Sequence, residues 1–179
     1  MRVEIRELTQ DDLQWIPIWY ANINAEQFTS RLYPRPFVED NSRLPDRDSV
    51  AWFVILVEGR PAGHVWLEID CQETSTAILG ILLGDPDLFG RGIGRKAIEL
   101  ARPAARERLK FQRVKLSVRK NNLRAIACYE RCGFRIVGEG TKQSDDVEPI
   151  DYYTMERALE DLAVKPGRSR AEDGQNLQA

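Results

Sequence analysis

The sequence predicts an α/β fold in one domain, residues 1–162, followed by a polar tail, 163–179. Three observations carry this. Strand-like and helix-like apolar patterns alternate along the chain in the order strand, two helices, three strands, helix, strand, helix, two strands. A glycine-rich stretch, Gly84-Asp-Pro-Asp-Leu-Phe-Gly-Arg-Gly-Ile-Gly-Arg95, lies between a strand-like run (Ala77 to Leu83) and a helix-like run (Arg95 to Ala101). Farther on, Asn122 to Phe134 reads as a short helix capped at both ends. With 179 residues, 42% hydrophobic and 30% charged, the chain is long enough for a sizeable core and ordinary for a globular protein.

Val3 to Leu8 alternates and forms the first strand. Thr9 is placed to cap a helix in which Leu13, Ile16 and Tyr20 share a face, and Pro17 inside it predicts a kink or a split. A second, irregular helix is expected within Ala25 to Leu32; Pro34, Pro36 and Pro45 then mark a loop. Ala51 to Val57 and Gly63 to Ile69 read as strands joined in a hairpin by Glu58-Gly-Arg-Pro-Ala62. Thr76 to Leu83 is the next strand. The helix beyond the glycine loop has Ile93, Ala97, Leu100, Ala101 and Ala104 on its apolar side, with Pro103 expected to kink or break it. Arg113 to Val118 is a strand with Val114, Leu116 and Val118 on one face. The Asn122 helix follows. Arg135 to Gly140 and Ile150 to Glu156 are the last two strands, joined by a loop from Lys142 to Pro149. The tail is rich in Gly, Ser and charge and is expected to be flexible.

The glycine loop is suited to an anion. Glycine permits φ > 0 and close approach, and a helix N-terminus adds unpaired N–H donors and a positive dipole end. Taken alone it is also compatible with an ordinary tight turn. No Gly-Lys-Ser/Thr follows, so it is not a Walker loop, and the third glycine of a dinucleotide fingerprint is replaced by Arg95. In the second segment Asn122 is a natural N-cap and Gly133 suits the left-handed C′ position. Ala125, Cys128, Tyr129 and Cys132 fall on one face.

Together the two segments resemble the GNAT superfamily of N-acetyltransferases. Phe89-Gly-Arg-Gly-Ile-Gly94 is similar to that family's coenzyme A loop, Arg/Gln-x-x-Gly-x-Gly/Ala. Asn122, Ala125, Tyr129, Gly133 and Phe134 match its Asn-x-x-Ala-x-x-x-Tyr-x-x-x-Gly-Phe. The aromatic Phe89 in place of Arg or Gln resembles the branches that acetylate ribosomal proteins, polyamines and aminoglycosides. The likeness runs roughly from Val3 to Arg157. It implies the GNAT fold: a single mixed, mostly antiparallel sheet of about seven strands flanked by helices on both faces.

The resemblance also implies the chemistry. Acetyl-CoA is the co-substrate, and the acceptor is a primary amine of a small molecule or peptide that attacks directly in a ternary complex. The strand before the loop pairs with the pantetheine arm through Leu82 and Gly84, and Leu82 supplies a backbone oxyanion donor. Phe89, Gly90, Arg91, Gly92, Ile93, Gly94 and Arg95 hold the pyrophosphate, Asn122 bonds the pantetheine arm, and Tyr129 is the general acid. These roles answer general needs. An alkylammonium with a pKa of about 10.4 is only about a thousandth neutral at pH 7, so a base helps. The carbonyl oxygen needs a donor, and the departing thiolate benefits from a proton. Histone-type members place a glutamate where this chain has Ile78; Glu68 and Asp70 are the candidate bases, with Glu73 behind them, and each is equally a solvated strand-end carboxylate. A non-enzymatic acyl-CoA-binding or sensor protein on the same fold is the alternative.

The remaining sequence sets bounds. There is no apolar run of membrane-spanning length and no signal-like N-terminus, and the net charge of −2 gives no reason to expect non-specific nucleic-acid binding, so no nucleic-acid partner is expected. Three cysteines and one histidine make neither a disulfide framework nor a zinc site, so a cytoplasmic protein without a metal is expected. His64 reads as structural. Of the basic residues from Arg91 to Arg113, only Arg91 and Arg95 are expected near phosphate. Asp145, Asp146, Glu148 and Asp151 either line the acceptor cleft, favouring a cationic acceptor, or form a solvated loop. Trp15, Trp19, Tyr20, Phe28 and Tyr33 either wall that cleft or fill the core. Monomer and homodimer are both open.

Overall fold

The computed structural model describes residues 1–29, 31–41, 43–144 and 147–158. The expected tail, 163–179, lies outside the described residues, as do Asp145 and Asp146. Seven strands form one sheet: β1 Val3–Glu7, β2 Val50–Val57, β3 Arg60–Ile69, β4 Thr76–Leu83, β5 Arg113–Arg119, β6 Arg135–Ser144 and β7 Val147–Ala158. Their spatial order is β1-β2-β3-β4-β5-β7-β6, and every neighbouring pair is antiparallel except β4 and β5. The described helices are α1 Trp15–Asn22, α2 Arg35–Glu39, α3 Ile93–Leu109 and α4 Leu123–Arg131.

Alternation within the strands makes two cores. Odd-numbered residues of β2 and β3, such as Phe53, Ile55, Val65 and Leu67, face α3. Even-numbered ones, such as Trp52, Val54 and Trp66, face α1 and α2. Helices therefore cover both faces. The hairpin between β2 and β3 turns on Glu58 and Gly59, at φ of 50° and 77°, the positive angles a tight two-residue turn requires.

Several boundaries differ from the sequence expectation. The first helical stretch is split, as Pro17 suggested: a 3-10 turn at Gln10–Gln14 precedes α1, and Pro17 falls in the first turn of α1, where its missing N–H costs nothing. The expected irregular helix shrinks to a 3-10 turn at Ala25–Gln27. A short α2 forms in the proline segment, because Pro34 and Pro36 sit at its start, where proline is tolerated. Pro103 neither breaks nor ends α3, which runs 17 residues; its ring is on the solvent side while Ala97, Ile98, Ala101 and Ala105 hold the helix against the sheet. The last hairpin is longer than expected, since most of the proposed loop from Lys142 to Pro149 is paired strand.

Two buried polar groups anchor the α1 side. The Asp12 carboxylate accepts from the Thr9 N–H and hydroxyl at 2.9 and 2.8 Å and from both Arg6 Nη atoms at 2.7 and 2.8 Å. The hydrogen bond from Arg6 holds its pKa down to about 2. His64 is fully buried, stacked between Trp19 and Trp66, and its Nδ1 accepts from Trp52 Nε1 at 2.9 Å. Burial pushes its pKa down to about 3.

Both groups have a folded pKa below the unfolded value, so each contributes stability that is complete above the unfolded pKa and lost as pH falls. His64 acts first, from about pH 6.5 towards 3, and Asp12 between about pH 4 and 2. Thermal melts followed by tryptophan fluorescence should therefore show Tm declining from pH 7 to pH 4, and His64→Gln should flatten that decline.

Candidate active site

The site begins where two strands part. β4 pairs with β5 only through Thr76, Ala77 and Ile78, although β4 continues to Leu83 and β5 to Arg119. Beyond Ile78 the facing edge of β4 has no strand against it. The β3–β4 ladder decides which backbone groups lie on that edge. Its register is unbroken from Gly63↔Leu83 to Ile69↔Ala77, and it is flanked by Gly84 N–H to Ala62 O and Asp70 N–H to Thr76 O, both 2.9 Å. In an antiparallel ladder, bonded positions alternate. Even-numbered β4 residues thus address β3, and Leu79, Ile81 and Leu83 present their N–H and C=O to the gap.

This corrects the sequence expectation for Leu82 and Gly84. Leu82 turns its backbone to His64 of β3. Gly84 spends its N–H on Ala62 and its carbonyl on Asn22 Nδ2 at 3.4 Å. Its lack of a side chain serves packing instead, because a Cβ there would collide with the Trp19 ring. Gly80 is required in the same way beneath Trp66.

The glycine loop delivers α3 to the lower end of the gap. Gly90 and Gly92 take φ of 74° and 77°, with open space where a Cβ would stand, so the backbone angle is what demands glycine. The first bond of α3 runs from Lys96 N–H to Gly92 O at 3.0 Å, leaving the N–H groups of Ile93, Gly94 and Arg95 without helical partners. The first turn of α3 has no acidic residue. Arg91, Arg95 and Lys96 instead crowd the positive end of the dipole, an unfavourable placement that an anion bound there relieves. Arg95 is paired with Glu99 at 2.8 Å and borders the cleft.

Across the gap stands α4. Asn122 Oδ1 accepts from Ala125 N–H at 3.2 Å, the predicted cap, which leaves its Nδ2 as the donor free for a ligand. The other end is a Schellman motif: Gly133, at φ 82°, donates to Glu130 O at 2.8 Å and Phe134 donates to Tyr129 O at 3.0 Å. Phe134 packs edge-on against the Tyr129 ring, with centroids 6.0 Å apart. The motif's Gly-Phe pair thereby fixes Tyr129. Its phenol borders the cleft, has no hydrogen-bond partner among the described residues, and is raised in pKa by burial. The neighbouring thiols of Cys128 and Cys132 shift one another in opposite directions, the first down and the second up. Among the described residues no group of His, Cys, Asp or Glu has the makings of a metal site.

These elements line one continuous cleft of about 1210 Å³, more than a single drug-sized ligand fills. Gly90, Gly92, Ile93, Gly94, Phe89 and Asn122 lie along one half; Arg91 does not line it. Arg124 lies over the Phe89 ring at 3.6 Å and over Phe28 at 5.7 Å, joining the loop to the segment after α1. The other half is floored by Trp66, Glu68, Ile78 and Arg119. Of the five aromatics considered for its wall only Phe28 lines it; Trp19 is core, and Trp15 is exposed.

The two expected bases fare differently. Glu68 is buried with its carboxylate held by Arg31 and by the Arg35 N–H, so it is an ion-pair partner rather than a free acceptor. Asp70 borders the cleft with one oxygen accepting from Gln72 N–H at 3.0 Å and the other without a partner among the described residues. Glu73 pairs with Arg113 and Lys115 away from the cleft. Glu148 and Asp151 do not line it either; Lys142 and Tyr152 do. The Arg31–Glu68 pair and the open residues 79, 81 and 83 escaped the sequence reading, since strand register and a contact 37 positions apart leave no local signal.

The family model described as Acetyltransferase (GNAT) family matches residues 13–134, more than half of the chain. The chain is 32% identical over 140 residues to a mycothiol acetyltransferase of Clavibacter sepedonicus, covering 74% of this chain and 43% of that protein. It is 26% identical to an aminoglycoside N(6')-acetyltransferase type 1 of Klebsiella pneumoniae, over 88% of this chain and 85% of that one. The structure of spermidine N-acetyltransferase from Vibrio cholerae, in complex with CoA and spermine, superposes with a TM-score of 0.68 at 22% identity, covering 87% of this chain and 95% of that one.

Removing the negative member of the buried Arg31–Glu68 pair leaves a partly buried guanidinium uncompensated. Glu68→Gln should cost roughly 3 kcal/mol in urea denaturation, whereas the exposed-pair variant Glu99→Gln should cost under about 1 kcal/mol.

Proposed function

The chain belongs to the acetyltransferase (GNAT) family, and on that premise we propose that it transfers the acetyl group of acetyl-CoA directly to a primary amine within a ternary complex. One observation carries the reading: the open edge of β4, the unpaired N-terminus of α3 and the Tyr129 phenol all border the same cleft. A thioester whose long arm ends in a diphosphate needs these three features in this sequence.

The residues fit that co-substrate. The N–H groups of Ile93, Gly94 and Arg95, with those of the loop from Phe89 to Gly92, receive the diphosphate, and Arg91 and Arg95 add charge. Asn122 Nδ2 and the free groups of Leu79, Ile81 and Leu83 hold the amide-bearing arm in the manner of an added strand. Acetyl-CoA supplies the activated acyl group. A gap-facing N–H of β4, from Ile81 or Leu83, donates to the carbonyl oxygen as it gains charge. Tyr129 gives its proton to the departing sulfur; burial keeps the phenol protonated at neutral pH, which suits a donor. Asp70, with one free oxygen, takes the proton of the attacking ammonium directly or across water. Glu68 is not assigned this role, because Arg31 already occupies it. No described helix is long and apolar enough to cross a membrane, and the free thiols Cys71, Cys128 and Cys132 fit the cytoplasm as the working location.

Tyr129→Phe should lower kcat about 100-fold while the Kd for acetyl-CoA, read by calorimetry, stays within about twofold. A protein that binds acetyl-CoA yet releases no thiol with any amine would instead be an acyl-CoA sensor. The kcat profile from pH 6 to 9 should carry no limb from Tyr129, because its raised pKa lies above that window.

A further inference from the structure

We infer that the acceptor bears a carboxylate as well as its amine, and that Arg119 is the residue that reads it. The inference rests on the proposed acetyl transfer and names the substrate class of the same cleft.

Arg119 is the last residue of β5, opposite Tyr152 of β7. Val114, Leu116 and Val118 point into the α3 core, so alternation sends Arg119 to the opposite face, where it floors the acceptor half of the cleft. The side chain is half-buried and has no carboxylate partner among the described residues. Among the described residues its one polar contact is Nη2 to Thr29 O at 3.5 Å, the outer limit of a hydrogen bond, and its Nε is shielded from solvent with no acceptor. A guanidinium cannot shed its proton, and withdrawing it from water without a counter-ion is costly. Arg6, Arg31 and Arg108, also partly buried, are matched by Asp12, Glu68 and Glu7, and Arg102, which has an unpartnered buried Nη1 as well, does not line the cleft. A ligand carboxylate, with two oxygens in one plane, meets the fork of Arg119.

The surrounding charge points the same way. Glu68, the buried carboxylate of this half, is already neutralised by Arg31, so it holds no second cation of a polyamine. The described acids of the last hairpin, Glu148 and Asp151, lie off the cleft, and Asp151 accepts from Thr141 Oγ1 at 2.6 Å. Lys142 from that hairpin borders the cleft instead. Glu39 and Arg35, one helical turn apart on α2, border the cleft with opposite charges. Asp70 remains for the amine end. A negative group at Arg119 and a positive one near Asp70 describe a zwitterion.

The test compares amino acids with their carboxamides, alongside spermidine and kanamycin, by thiol release from acetyl-CoA, with rates referred to the neutral-amine fraction. The free acids should exceed their amides in kcat/KM by roughly 30-fold. Arg119→Gln should bring that ratio close to one while calorimetry shows unchanged acetyl-CoA affinity. Amides or polyamines turned over as well as the acids, or an Arg119→Gln enzyme that keeps the ratio, overturns this inference and leaves acetyl transfer standing. No thiol release with any amine, despite bound acetyl-CoA, overturns acetyl transfer and this inference with it. The wild-type ratio needs no variant, so a poorly folding Arg119→Gln does not remove the test.

Discussion

The chemistry of the cleft follows from one interrupted pairing. Among the described strands β4 and β5 are the only parallel neighbours, and they hold together for three residues before separating. A strand edge left unpaired inside a protein is ordinarily a liability, since each free N–H and C=O costs energy away from water. Here it is a built-in template. The free groups recur at every second residue, at Leu79, Ile81 and Leu83, and β3 has already claimed the groups between them. An extended ligand with amide bonds can complete the ladder without asking any side chain to move.

Keeping that gap open requires rigid walls. On one side Trp19, His64 and Trp66 stack into a column that presses on Gly84 and Gly80. Neither glycine is there for flexibility; each admits an indole ring where a Cβ would stand. On the other side β5 is paired along its whole length with β7, and α4 is tied down by a cap at Asn122 and a Schellman closure at Gly133. The two halves of the sheet are thus each well supported, and only their seam is free.

Charge is distributed to match. At the α3 terminus, three cations stand where a helix normally prefers acids, a local conflict that marks a place meant for an anion. In the acceptor half Glu68 is matched by Arg31, while Arg119 has no carboxylate partner among the described residues. The one cleft is thus bordered by cationic groups, Arg95 and Arg119 among them, and by the Tyr129 phenol.

The sequence by itself determined what depends on short spacing. The Asn122 cap, the left-handed Gly133, the face carrying Tyr129 and the positive angles of Gly90 and Gly92 are all encoded within a few residues, and the element order followed from apolar periodicity. Tertiary structure decided the rest. Whether Leu82 or its neighbours offer a free N–H depends on the pairing register of β3, set by residues some twenty positions away, and a one-residue change of parity turns every group to the other edge. Whether Glu68 is a base or an ion-pair partner depends on Arg31, which reaches it only once the segment after α1 folds over the sheet. Pro103 stayed helical because packing against the sheet outweighed a local preference. Local chemistry can be read along a chain; which donors and charges remain unspent is known only when every long-range partner has been found.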